Sequence, residues 1–87
     1  MSDIQQKLSL LDAINNNRLG TFYLYNVAEL IINDIFIPIS KNAYLMVLTT
    51  NNHVQVDILE DDKKIFFFEL ENEKVRDFHI ILNQERK

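Results

Sequence analysis

The chain has 87 residues, of which 47% are hydrophobic and 25% charged, a length and balance that fit one domain over 1–87 and exclude a disordered chain. The net charge of −4 disfavours direct binding to nucleic acid, and the absence of cysteine excludes disulfides, thiolate metal sites and cysteine nucleophiles. Because no apolar run approaches the roughly 18 residues of a membrane span and no leader pattern opens the chain, we expect a cytoplasmic protein without membrane association.

The first predicted element is an amphipathic helix over residues 2–19. Its apolar residues recur at the spacing of one helical face: Ile4, Leu8, Leu11 and Ile14. Ser2 and Gln5 have the spacing of a capping box at the amino end of the helix. Gly20 predicts the left-handed residue that commonly follows the last helical turn.

The next segment admits two interpretations. Residues 21–25 are β-branched and aromatic and predict a short strand. Asn26, with a glutamate three residues later, resembles a second capping box and favours a short helix within 26–37. The alternative is a hairpin that turns at Asn33-Asp34, although no glycine supports a tight turn there. Pro38 limits the residues around it to an edge strand or a strand end.

The remainder of the chain predicts antiparallel strands. Four apolar runs have strand character: 44–50, 53–59, 65–70 and 78–82. They are separated by polar connectors of hairpin length, and Asn51-Asn52 suits a two-residue primed turn because asparagine tolerates positive φ. The last run also fits helical spacing, but we favour a strand. The predicted class is α+β, with an N-terminal helix, and a second short helix if 26–37 is helical, packed on an antiparallel β-meander of four to five strands.

Two predicted strands are apolar on both faces, namely residues 44–48 and 65–68. A strand on a half-exposed sheet would alternate apolar with polar residues, so both faces of these strands need cover. Short helices cover one face, so the second face is closed either by the N-terminal segments of the same chain or by another chain. We favour another chain, most simply in a homodimer. We assign Tyr44 and Phe67 to this protein-binding surface. We also expect at least one pair of side chains within 65–68 to be fully buried.

The negative charge is concentrated in one part of the chain. Residues 57–77 contain eight acidic and four basic residues, a local charge of −4 that equals the net charge of the whole protein. Five acids of the connectors are candidates for steering a basic partner protein: Glu60, Asp61, Asp62, Glu71 and Glu73. The alternative is that these charged turns keep the ends of the sheet soluble.

Few residues have the spacing that catalysis needs. Each histidine has an acid at the spacing of an orienting partner, Asp57 for His53 and Asp77 for His79, but no nucleophile completes either pair. The acids of 57–62 lack the glycine and the ligand spacing of a calcium loop, and lysines follow at once. A single glycine excludes the common phosphate-binding loops. We expect no catalytic residue, no metal site and no cofactor.

These observations favour a small, acidic, non-enzymatic protein that binds another protein. Immunity proteins, antitoxins and inhibitors of defence systems have this physical profile, and we expect a regulatory or inhibitory role of that kind. The 10 asparagines and 11 isoleucines, against one glycine and one proline, suggest an AT-rich bacterial or phage genome. The alternative function is a structural or assembly subunit whose sheet joins a homo-oligomer.

Overall fold

The computed structural model describes residues 3–85, within which the chain forms one α-helix and seven strands. In chain order these elements are α1 (Asp3–Asn15), β1 (Gly20–Leu24), β2 (Val27–Ile32), β3 (Ile35–Pro38), β4 (Ala43–Thr49), β5 (His53–Glu60), β6 (Lys63–Glu71) and β7 (Phe78–Leu82). The predicted α+β class, an N-terminal helix on antiparallel sheet, is confirmed. Ser2, the predicted cap, lies outside the described residues. No helix of the described part is long and apolar enough to cross a membrane.

The strands form two antiparallel sheets. The four-stranded sheet has the order β1-β4-β5-β6 and contains the predicted meander as β4, β5 and β6. The three-stranded sheet has the order β3-β2-β7. The connector after β6 is therefore not a hairpin, because it carries the chain across to the other sheet, where β7 pairs with β2. A single 3₁₀ turn, Asn72–Lys74, begins this crossing.

The core lies between the inner faces of the two sheets. Its most deeply buried strand residues come from both sheets: Leu24, Val27, Leu30, Leu45, Val47, Val56, Ile80 and Leu82. Helix α1 packs against β1, β4 and β7 and buries Leu10 and Ala13 in this core. Lys7 Nζ donates a 2.8 Å hydrogen bond to Glu85 Oε1, which lowers the pKa of Glu85 and ties the helix to the end of β7. The helix thus closes one side of the sandwich.

The helix ends earlier than the sequence predicts. Its last residue is Asn15, and Asn17 takes the left-handed conformation with a φ of 52°. The Arg18 N–H donates to the Ala13 carbonyl at 2.9 Å, which is the six-to-one bond of a Schellman motif. Gly20 has no positive φ and instead begins β1. Asparagine, which tolerates this conformation better than most residues, takes the role predicted for glycine.

Residues 26–37 form the hairpin, so the favoured second helix is wrong. Strands β2 and β3 pair directly, and the turn between them has φ of 48° at Asn33 and 71° at Asp34. Two consecutive positive φ values are what a type I′ turn requires, and here Asn-Asp supplies them without glycine. Pro38 is the last residue of β3, an edge strand, as its missing N–H predicts.

A second primed turn also forms at a different place from the predicted one. Asp61 and Asp62 have φ of 53° and 61° and join β5 to β6. Neither residue of Asn51-Asn52 has positive φ. In that connection Thr50 Oγ1 accepts the His53 N–H at 2.9 Å, so a hydroxyl replaces the carbonyl that would close a two-residue turn.

Candidate functional site

The outer face of the four-stranded sheet carries an unusual row of side chains. The register aligns Tyr23, Met46, Asp57 and Phe67 across all four strands, facing away from the core. Tyr23 is 46% exposed and Phe67 is 56% exposed. With two neighbouring tyrosines, the apolar members of this row form what we call the aromatic face: Tyr23, Tyr25, Tyr44, Met46 and Phe67. An outward-facing sheet surface is usually polar, so this one needs an explanation.

Tyr44 is held in place on the aromatic face. Its ring stacks on Tyr25, with 5.2 Å between the ring centroids and 27° between their planes. Its hydroxyl donates to Asp62 Oδ1 at 3.1 Å. Desolvation, followed by the hydrogen bond and the charge of Asp62, raises the pKa of Tyr44. The two rings therefore form an ordered platform with a carboxylate at its rim.

Asp57 is buried in the middle of this outer face, although aspartate is seldom fully buried. It is only 1% exposed, accepts a 3.1 Å hydrogen bond from Gln55 Nε2 and lies 3.5 Å from Lys64 Nζ. The same ammonium group lies 5.0 Å from the centroid of the Phe67 ring. Lys64 thus compensates the buried charge and orders the Phe67 ring beside it.

The structure divides the predicted acidic patch into two groups. Glu60, Asp61 and Asp62 lie at one end of the β5–β6 hairpin, whereas Glu71 is the last residue of β6 at the opposite end and Glu73 follows it. The run of β5 that separates these two ends spans about 23 Å. Among these five acids, we therefore place Asp61 and Asp62 at the rim of the aromatic face near Tyr44, whereas Glu71 and Glu73 lie at the opposite end of the sheet.

Glu60 points away from the aromatic face. Its carboxylate accepts a 3.0 Å hydrogen bond from Ser40 Oγ and lines a hollow beside the open side of the sandwich. Glu71 lies 4.0 Å from Lys74, an exposed ion pair in which the charge is partly compensated. Only Asp62 among the predicted acids contacts a predicted aromatic residue, Tyr44.

A polar hollow of about 600 Å³ lies at the far end of the four-stranded sheet, beside Glu71 and Glu73. Its floor contains Asn72, which donates to Asn17 Oδ1 at 2.9 Å and to the Thr50 carbonyl at 3.1 Å. These bonds fix the loops that surround the hollow.

The two histidines do not pair with the acids that share their spacing in the sequence. His53 Nε2 lies 3.5 Å from Glu69, whereas Asp57 is engaged with Gln55 and Lys64. His79 is exposed on the outer face of the three-stranded sheet. Over residues 3–85, no group of three or more histidine and carboxylate side chains is arranged to hold a metal ion.

The second notable surface is the open side of the sandwich, between β3 and β6. It is lined by five apolar side chains that point inward but are not fully covered. We call this surface the edge groove: Ile35, Ile37, Phe66, Phe68 and Leu70. Two hollows of about 310 and 410 Å³ share three of these residues. These core-facing side chains are left accessible because the helix covers only the opposite side of the sandwich.

The expectation of a fully buried pair within 65–68 is wrong. Ile65, Phe66 and Phe67 are 51–56% exposed, and Phe68 is half-buried. The physical reason is that β6 is an edge strand, so its inward residues meet the core on one flank only. The sequence pattern indicated correctly that these strands are apolar on both faces.

No protein-family model, no curated protein and no solved structure matches this chain. The candidate surfaces therefore rest on geometry alone. Sequence analysis missed Tyr23 and Tyr25, since it treated residues 21–25 only as a strand. The available signal was that Tyr23 alternates with buried Leu24 and so faces outward.

Proposed function

We propose that this chain is a non-enzymatic protein-binding factor with a regulatory or inhibitory role, and that the aromatic face is its binding surface. The observation that carries the proposal is the Tyr25–Tyr44 stack, fixed by Asp62 and flanked by exposed Tyr23 and Phe67. Tyrosine, phenylalanine and methionine are enriched in the centres of protein interfaces. Rings that are already ordered lose little side-chain entropy when a partner covers them, which favours binding.

The partner we propose is a protein with a basic surface. A lysine or arginine of the partner placed beside Tyr44 would contact both the π-face of its ring and the Asp62 carboxylate, because the Tyr44 hydroxyl oxygen and Asp62 Oδ1 are 3.1 Å apart. The net charge of −4 supports a protein partner over direct contact with nucleic acid. The composition supports a bacterial or phage origin, and we propose a cytoplasmic location.

Affinity capture with matched variants tests this function. The variant Tyr23→Thr/Tyr25→Ser removes two exposed rings at the side of the aromatic face that lies far from β6. The control Phe36→Thr removes a ring that is even more exposed, 62% accessible, from the outer face of the three-stranded sheet. We expect a lysate of the source cell to yield one stoichiometric basic protein with the parent and the control, and none with the tyrosine variant.

The opposite pattern would contradict the proposal. A partner that the tyrosine variant retains and the Phe36 control loses would move the binding surface to the other sheet. Circular dichroism spectra and melting curves of the variants provide the folding control, because substitutions of exposed side chains usually change stability only slightly.

A second candidate function is an assembly subunit, and the edge groove favours it. Apolar core-facing side chains at Phe66 and Ile35 are left half-exposed or more, which a second copy of the chain would cover. We propose that the protein is a homodimer in either role. The two functions are compatible, because the aromatic tyrosines and the edge groove are different surfaces.

A further inference from the structure

Four strands lie at sheet edges, and three of them are protected. Helix α1 packs against β1 and β7, and β3 has four residues and ends with Pro38. The fourth edge strand, β6, has nine residues and exposes Ile65, Phe66 and Phe67 in its middle. A long apolar edge presents unpaired N–H and C=O groups and is normally blunted by one of these devices. In β6, Lys63, Lys64 and the register irregularity protect only the amino end, so the run from Phe66 to Leu70 is the part of this edge that can pair.

We propose that β6 pairs antiparallel with β6 of a second copy, so that the two four-stranded sheets become one continuous eight-stranded sheet. This inference rests on the homodimer proposed above and names the surface that forms it. A two-fold axis through the middle of β6 closes the assembly, because each copy presents the same edge to the other.

The charges of β6 are complementary to those of its own reversed sequence. Its amino end carries Lys63 and Lys64, its carboxyl end carries Glu69 and Glu71, and Phe67 is the middle residue. Antiparallel pairing centred on Phe67 places the lysine end of each copy beside the glutamate end of the other. The irregularity opposite Ile58 and Leu59 turns Lys63 and Glu71 to opposite faces, so their charges attract at the ends of the paired strands rather than as a directly opposed pair. Opposite charges across a strand pair stabilise it, whereas a parallel pairing would place lysine beside lysine.

The apolar side chains support the same pairing. Phe66 and Phe68 lie one residue before and after the centre, so each Phe66 meets Phe68 of the other copy on the inward side. Their rings already lie 5.9 Å apart within one chain, and the pairing extends this cluster across the axis. The irregularity of β6 falls opposite Ile58 and Leu59, at its amino end, and leaves the residues from Phe66 onward in regular register. The dimer thereby covers part of both edge grooves.

A pair of charge reversals at the two ends of β6 tests this dimer. Lys63→Glu gives a β6 that is acidic at both outer positions, and Glu71→Lys gives one that is basic at both. Each variant repels its own copies at two positions, but the two variants attract each other. Sedimentation equilibrium should give a dimer for the parent, weakening by about tenfold or more in each variant alone, and a dimer for the equimolar mixture.

The control is Lys41→Glu, which makes the same charge change at an exposed residue outside the strands and should leave the dimer intact. Lys63 and Glu71 are themselves exposed, so melting curves of all variants should agree with the parent. A parent that remains monomeric overturns both this inference and the proposed homodimer. If each variant alone dimerises as well as the parent, the protein is a homodimer but the dimer does not form through β6. Neither result bears on partner capture through Tyr23 and Tyr25.

Discussion

At the scale of single residues, Asn33 joins two segments, the turn between β2 and β3 and the loop that precedes β7. Its side chain donates to the Lys74 carbonyl at 2.8 Å and accepts the Arg76 N–H at 2.7 Å, while its backbone takes a φ of 48°. The turn between β2 and β3 is thereby fastened to the loop that leads into β7. A helix over this segment would lose these long-range bonds, which explains why the hairpin forms although Asn26 resembles a helix cap.

Glycine substitutions at the two turn positions should have opposite effects. Asn33→Gly keeps the positive φ but removes the side-chain bonds to Lys74 and Arg76, and should lower the free energy of unfolding by about 1–3 kcal/mol. Asp34→Gly produces the Asn-Gly sequence that type I′ turns prefer, and should raise it by up to about 1 kcal/mol. Urea denaturation measures both. Equal effects of the two substitutions would mean that the side chain of Asn33 does not fasten the turn.

The raised pKa of Tyr44 predicts a change in alkaline solution. Folding favours the neutral phenol, so the stability that Tyr44 contributes is present below its unfolded pKa of about 10 and is lost as the pH rises through its higher folded pKa. An absorbance titration of phenolate should show one tyrosine ionising late. In Asp62→Asn this step should move only part of the way back, because desolvation is the larger cause. A step that Asp62→Asn does not move would contradict the observed contact.

At the scale of elements, the strands were largely predictable and their partners were not. The runs 44–50, 53–59 and 78–82 became strands with nearly the expected bounds, because apolar and β-branched residues dominate them. The crossing of β7 to the second sheet depends on hydrogen bonds from the backbone of Arg76 and Asp77 to Asn33, which lies 43 and 44 residues earlier in the chain, and local patterns do not contain such bonds. The primed turn at Asn33-Asp34 was foreseen only as the alternative to a helix, and the one at Asp61-Asp62 was not predicted, because no glycine marks either turn.

Because β6 lies at an exposed edge, truncating one of its side chains should lower the free energy of unfolding less than truncating a core side chain. Phe66→Ala should cost about 1–2 kcal/mol, roughly half of what a fully buried phenylalanine would cost, because Phe66 is 51% exposed. Leu45→Ala, at a fully buried position of β4, should cost about 2–5 kcal/mol. Denaturation at concentrations too low for dimerisation compares the two. A larger loss at Phe66 than at Leu45 would place β6 inside the core.

At the scale of the whole molecule, the acidic residues lie at two opposite ends of the four-stranded sheet. The hypothesis that they steer a basic partner can therefore be tested at each end separately. Asp61→Asn/Asp62→Asn removes two charges beside the aromatic face while keeping residues that tolerate positive φ. With the captured partner, this variant should associate several-fold more slowly at low salt, and added salt should shrink the difference. Glu71→Gln/Glu73→Gln, an equal charge change at the far end, should have a smaller effect. Association rates equal to that of the parent in both variants would show that neither group of acids steers the partner.

The candidate site was predictable only in part, for geometric reasons. Tyr44 and Phe67 were both assigned to a protein-binding surface, and the strand register does place them on one outer face. Glu71 and Glu73 were grouped with Asp62 because they are near in sequence, but a full-length strand separates them. The alternation of side chains along a strand can be derived from the sequence. The end of the sheet at which a connector lies depends on the strand lengths, which local patterns do not define.

Helix α1 closes one side of the sandwich, and we propose that a second chain closes the other side at β6. Hydrogen exchange of β6 amides at low and high protein concentration tests this claim, because edge amides without a partner exchange rapidly. We predict that protection of β6 rises with concentration while that of β4, inside the sheet, stays the same. Exchange of β6 that is equally fast at both concentrations, in a sample of unchanged fold, would contradict the claim.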